Sequence, residues 1–204
     1  MNGTQKILIF SGIALFFLWP KKTRGSASSG ALASGMLGKY FSLQELTSSG
    51  TAEKYGIEAQ YSPPESVYIN ALSLTYYLLD PVRKWLGGPI TVSSWYRSPE
   101  LTAKLLELGE DTVKNTTHVI GGTADLLYFQ NGENKSGLIV RAILAQRLPF
   151  DRILIEYGSL DAPNHIHLEY DGSKDPDSQR GLILRLDSSG VEQKTRAWAE
   201  DFYL

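Results

Sequence analysis

The residues best able to do chemistry are three histidines, and each stands in a short segment that also carries a carboxylate. The first lies in Thr117-His118-Val119-Ile120-Gly121-Gly122-Thr123-Ala124-Asp125, where an aspartate follows the histidine by seven residues. The next run, Leu126-Leu127-Tyr128-Phe129, is apolar and suits a buried strand, so Asp125 stands near a strand start. A carboxylate there is costly unless a cation or hydrogen bonds compensate it. The glycine pair permits a tight bend that returns His118 over Asp125. Taken alone, such a pair reads as a structural hydrogen bond.

The other two histidines change that reading. They occupy Asn164-His165-Ile166-His167-Leu168-Glu169-Tyr170, where strand alternation puts His165, His167 and Glu169 on one face. Imidazole and carboxylate are zinc ligands, and a catalytic zinc takes three protein ligands and keeps one position open. His118, Asp125 and either His165 or His167 would complete that set; the spacing does not choose between the last two. Phe150-Asp151-Arg152-Ile153-Leu154-Ile155-Glu156 reads as a second buried strand ending on a carboxylate. Glu156 is a candidate general base, with Glu169 the competing acid. Arg97 follows an aromatic pair in Ser94-Trp95-Tyr96-Arg97-Ser98-Pro99, where its guanidinium could face an oxyanion or a substrate carboxylate.

In this order the segments resemble the M15 family of zinc peptidases, the D-Ala-D-Ala carboxypeptidase and endolysin group that cuts peptidoglycan peptides. The family's Ser-x-His-x-x-Gly-x-Ala-x-Asp motif is matched by Thr116 through His118 and Gly121 to Asp125. Its later Trp-x-His is matched by His165-Ile166-His167, its strand-closing glutamate by Glu156, and its Ser-Gly-Tyr-Arg-Ser-Pro by Ser94 to Pro99. Four motifs in the right order are more specific than any one, and the match runs from about Tyr40 to Leu186. The departures are Thr116 for Ser, Thr123 for Ala, Trp95 for Gly and His165 for Trp. The resemblance implies zinc on His118, Asp125 and His167, with Glu156 as general base and Arg97 stabilising developing charge. It places His165 beside the substrate. Ser94 and Tyr96 are expected to line the same pocket as Arg97. The implied activity is zinc-dependent cleavage of a cell-wall stem peptide, as a carboxypeptidase or an endopeptidase. The alternative is a membrane-anchored structural or wall-binding protein that keeps the fold without turnover.

Composition sets the bounds. The 204 residues fit one domain and an appendage, and the absence of cysteine excludes thiolate ligands and disulfides. Residues 1–39 carry five Lys or Arg and no acid, whereas residues 40–204 carry 15 basic and 22 acidic residues, a net −7. An acidic domain argues against nucleic-acid binding. The basic arm flanks Ile7 to Trp19, a thirteen-residue, nearly all-apolar run. That run is short for a bilayer span and has the length of a signal-peptide core. Lys21, Lys22 and Arg24 directly after it favour an uncleaved anchor. The expected organisation is a membrane-anchor helix over residues 1–24, a Gly/Ser/Ala linker over 25–39 and a zinc peptidase domain over 40–204. The implied location is a bacterial envelope, or a phage particle that carries a membrane.

Within the domain, Ser42-Leu43-Gln44-Glu45 has the form of a capping box. Pro63 is expected to open a helix with the apolar stripe Val67, Ala71, Leu74, Leu78, Val82 and Trp85, interrupted at Pro81. A strand over Ile90 to Ser94, a helix from Pro99 to Leu108, the Asp125 strand and a turn at Asn131-Gly132 follow. A helix from Ser136 to Leu148, strands at 153–156, 165–170 and 181–186, and a helical tail from Val191 to Leu204 complete the reading. Helices first and strands late predict an α+β fold, with helices packed on a small antiparallel sheet.

Overall fold

The computed structural model describes residues 34–110 and 116–194. The expected anchor, most of the linker and the tail beyond residue 194 lie outside the described residues. Packing reaches back to the linker's end: Leu37 is buried, Met36 bridges Ser42, and the Asp80 carboxylate accepts from Lys39 N at 2.7 Å. The capping box forms as the sequence requires. Ser42 caps α1 (Leu43–Thr47), and the Glu45 side chain reaches back to Ser42 N at 2.7 Å. Helix α2 (Gly50–Tyr55) follows, then a 3-10 turn at Glu58–Tyr61.

The long central helix differs from expectation at both ends. It starts at Glu65 with Pro64 as N-cap, not at Pro63. Pro63 precedes another proline, whose ring keeps it out of the helical region. The stretch then runs as α3 (Glu65–Leu74), a π-helical turn (Thr75–Leu79) and α4 (Asp80–Leu86). Pro81 does not break the path, because the wider π turn lies just ahead of it and accommodates the missing N–H. The extra residue in that turn shifts the apolar phase. Val67, Ala71, Leu74, Leu78, Leu79 and Val82 are buried, whereas Trp85, expected on the stripe, is exposed and Leu86 packs in its place.

The sheet has seven strands in the order β1-β2-β5-β4-β6-β7, with β3 beside β2. They are β1 (Ile90–Ser94), β2 (Thr123–Gln130), β3 (Glu133–Asn134), β4 (Arg152–Gly158), β5 (Pro163–Glu169), β6 (Leu182–Asp187) and β7 (Gly190–Lys194). Helices α5 (Pro99–Leu108) and α6 (Gly137–Ala145) lie between strands in sequence. Two expectations are corrected. The sheet is mixed, because β6 runs parallel to β4 after the chain crosses from β5 to the far side of β4. The start of the tail is strand: Val191–Lys194 pairs with β6, not a helix.

One face of the sheet is the core. Ala124, Leu126, Ile153, Ile155, Ile166, Leu168 and Ile183 are buried in one cluster with Val67, Leu74, Leu78, Ile139 and Ile143 of the helices. Strand alternation therefore places Asp125, Leu154, Glu156, His165, His167 and Glu169 on the opposite face.

Candidate metal centre

Strand register fixes most of the site. Asp125 on β2 pairs with His167 on β5, and His167 pairs with Leu154 on β4. One same-face step along, Glu156 pairs with His165, about 7 Å away at the usual strand rise. A bulge between Val92 and Ser94 aligns Ser94, not Ser93, with Asp125. Such an extra residue re-aims a side chain at the end of a ladder.

His118 arrives from the other side, on a 3-10 turn (Thr117–Ile120) capped by Thr116. Gly121 ends that turn at φ 76, and a Cβ there would lie 2.6 Å from Val67 O. Both the left-handed conformation and the close approach call for glycine. A Cβ on Gly122 would meet Tyr170 O at the same 2.6 Å. The glycine pair thus folds the histidine back over the strand it precedes. Trp95, fully buried, holds the turn from behind: its indole Nε1 donates to Gly121 O at 2.9 Å, and its carbonyl lies 2.6 Å from His118 Nδ1.

Three buried ligand groups meet here. His118 Nε2 lies 3.3 Å from Asp125 Oδ2, and His167 Nδ1 lies 2.9 Å from Asp125 Oδ1. The imidazole rings stand edge to face, 5.1 Å apart. One ligand atom from each of the three residues lies within 4.8 Å of the others. The group could bind a metal ion.

The hydrogen bonds behind the rings say which nitrogens face inward. A carbonyl only accepts, so His118 Nδ1 carries its proton toward Trp95 O and Nε2 points at Asp125. Glu169 Oε1 lies 3.1 Å from His167 Nε2, so that nitrogen carries a proton and Nδ1 points at Asp125. A metal bound here would displace the inward-facing protons, and His118 Nε2, His167 Nδ1 and an Asp125 oxygen would then offer two nitrogens and one oxygen, a donor set that zinc takes.

The electrostatics agree with a site built for positive charge. Burial pushes the Asp125 carboxyl up, but hydrogen bonds from His118 and His167 outweigh it and hold the group far below the usual carboxylate range. Burial pushes His167 down, and the Asp125 and Glu169 carboxylates reverse this, raising it to about 9. Glu169 is pushed up by burial but held at about 2 by His167, Thr117 and Arg152. His165 is raised chiefly by its hydrogen bond to Glu156, with Nε2 3.1 Å from Oε2.

The remaining expected residues divide. Arg97 stands at the cluster, donating from Nη2 to Asp125 Oδ2 at 3.0 Å and from Nε to Ser94 Oγ at 2.9 Å. Ser94 thus orients Arg97. Glu156 and His165 form their own pair beside the ligands, both half-buried. Tyr96 is not brought to the site: it is buried in the core, and burial raises its phenol above the ordinary range. Sequence reasoning missed the Trp95 carbonyl and the Thr117–Glu169–Arg152 cluster behind His167. A backbone carbonyl leaves no trace in a sequence. Glu169 was visible as a same-face acid, but its partners Thr117 and Arg152 lie 52 and 17 residues away.

No family model matches the chain, and no curated protein matches it significantly. What the site can do follows from its geometry.

Proposed function

We propose that the chain is a zinc-dependent peptidase acting on cell-wall stem peptides. The observation that carries this reading is the buried His118–Asp125–His167 group with Glu156 one same-face step along the strands. His118 Nε2, Asp125 and His167 Nδ1 would hold the metal. Zinc, when bound, supplies a Lewis acid able to polarise a carbonyl and acidify water. Glu156 accepts the proton of the attacking water and returns it to the leaving amine. His165 holds the Glu156 carboxylate from the side. Arg97, fixed by Asp125 and Ser94, places positive charge at the edge of the cluster, where it stabilises charge developing on the carbonyl oxygen.

The choice of substrate follows from the four ordered motifs and from the amino-terminal arm. The apolar run from Ile7 to Trp19 and its basic flanks would hold the domain at a membrane, close to the wall, in a bacterial envelope or a membrane-bearing phage particle. Among the described residues, no helix is long and apolar enough to cross a membrane. The test is product analysis by mass spectrometry of muropeptides incubated with wild type and with Glu156→Gln, with bound zinc measured in both. The reading expects hydrolysis by wild type and, in the variant, zinc retained with a loss of roughly 10²–10⁴-fold in rate. An equally active Glu156→Gln would remove the base, and wild type that holds zinc but cleaves no muropeptide would remove the substrate.

A further inference from the structure

Glu169 lies on the ligand face of β5, two residues beyond His167, and is 5 % exposed. Three donors meet its Oε1. They are His167 Nε2 at 3.1 Å, the Thr117 hydroxyl at 2.5 Å and an Arg152 guanidinium nitrogen. Its other oxygen lies 3.9 Å from Arg180 Nη2. The backbone is pinned as well, since Glu169 O accepts from Asp151 N at 2.9 Å. A carboxylate so held cannot turn away. Without it, His167 could rotate about its side-chain bonds or offer either nitrogen to a metal.

We propose that Glu169 is the positioning residue of the metal centre: it holds the Nε2 proton of His167 and thereby leaves Nδ1, beside Asp125, as the nitrogen that would meet the metal. An ionised carboxylate only accepts, so Glu169 keeps a proton on Nε2, and a bound metal would displace the proton that Nδ1 directs at Asp125, 2.9 Å away. Thr117 adds a link, because the residue before ligand His118 donates to the carboxylate that orients ligand His167. The two histidines reach the site from segments 49 residues apart, and Glu169 ties their positions together. Partners of this kind behind a ligand histidine typically contribute 10–100-fold in metal affinity. The inference rests on the metal reading of the cluster, but not on the choice of peptide substrate.

The test uses the full chain, histidine-labelled with 15N, titrated with zinc against a competing chelator. In zinc-loaded wild type, His167 should show its proton on Nε2. Glu169→Ala should bind zinc roughly 10–100-fold more weakly. Glu169→Gln should recover part of that loss, because its amide oxygen still accepts from Nε2–H. A purely structural glutamate would alter melting without changing the His167 tautomer and without rescue of zinc affinity by Gln. If the alanine variant does not fold, the wild-type spectrum decides alone, and a proton on His167 Nδ1 in the zinc-loaded chain overturns the proposal. A folded Glu169→Ala with wild-type affinity overturns it too, while leaving the metal centre standing. Wild type that takes up no zinc removes both.

Discussion

Arg97 shows how much one side chain is asked to do at this site. Its guanidinium touches Asp125 Oδ2, which also faces His118 Nε2, so Arg97 and His118 share one carboxylate oxygen of the candidate metal cluster. Arg97→Lys would keep the charge but lose the fork that spans Ser94 and Asp125. It should retain zinc while losing activity by about 10²-fold or more, the range for removing one such electrostatic donor. Steady-state muropeptide kinetics with a zinc assay would check this, and unchanged turnover would place Arg97 outside catalysis. The ligand types, the Glu156 strand and Arg97 were all legible in the sequence, because strand alternation and motif order expose them. Alternation left His165 and His167 equivalent. The structure separates them: His167 stands opposite Asp125, while His165 stands opposite Glu156.

Among the elements, the turn from His118 to Thr123 and the bulge in β1 decide whether the ligands meet. Gly121→Ala would put a Cβ 2.6 Å from Val67 O in a left-handed residue. Left-handed strain alone costs roughly 1–2 kcal/mol, and overpacking adds roughly 1–3 kcal/mol. Gly87, at φ 69 with nothing within 4 Å of an added Cβ, is the control. Urea melts should show Gly87→Ala losing about 1 kcal/mol with zinc binding intact. Gly121→Ala should lose clearly more and bind zinc less tightly. Equal losses would mean that the close approach to α3 does not matter. The sequence exposed these glycines but not the helix phase. A single residue in the π turn moves Trp85 to the surface, and periodicity cannot register an insertion within a helix. Nor did local pattern reveal that β6 runs parallel to β4, since pairing partners are chosen across the whole sheet.

Across the whole molecule, the acidic domain is held partly by one buried carboxylate beneath the site-bearing strands. Asp151, at the foot of β4, accepts from Arg180 Nε at 2.8 Å and from Lys174 Nζ at 3.1 Å, tying the loop after β5 to the sheet. Burial raises its carboxyl, and these cations outweigh burial and hold it below the ordinary range. A depressed folded-state value means that Asp151 stabilises fully above the unfolded pKa of about 4. That contribution is lost as pH falls through the lower folded value. Asp151→Asn should therefore cost about 1–3 kcal/mol at pH 7, with the gap to wild type narrowing below about pH 4. Denaturation at pH 7 and pH 3 would check the sign, and a constant gap would contradict it. The domain should also stand without its arm. Leu37 packs in the core and Lys39 is tied to Asp80, so a chain starting at Ser34 is expected to fold and bind zinc as the full chain does. Aggregation or loss of metal in that chain would make the arm part of the fold.

Metal content of the purified chain tests the central claim most directly. Wild type should hold one chelator-removable zinc per chain. His118→Ala, Asp125→Ala and His167→Ala should each abolish stoichiometric zinc, and His165→Ala should keep it. Zinc lost from His165→Ala and retained by His167→Ala would contradict the account, because the ligand would then belong to the histidine facing Glu156.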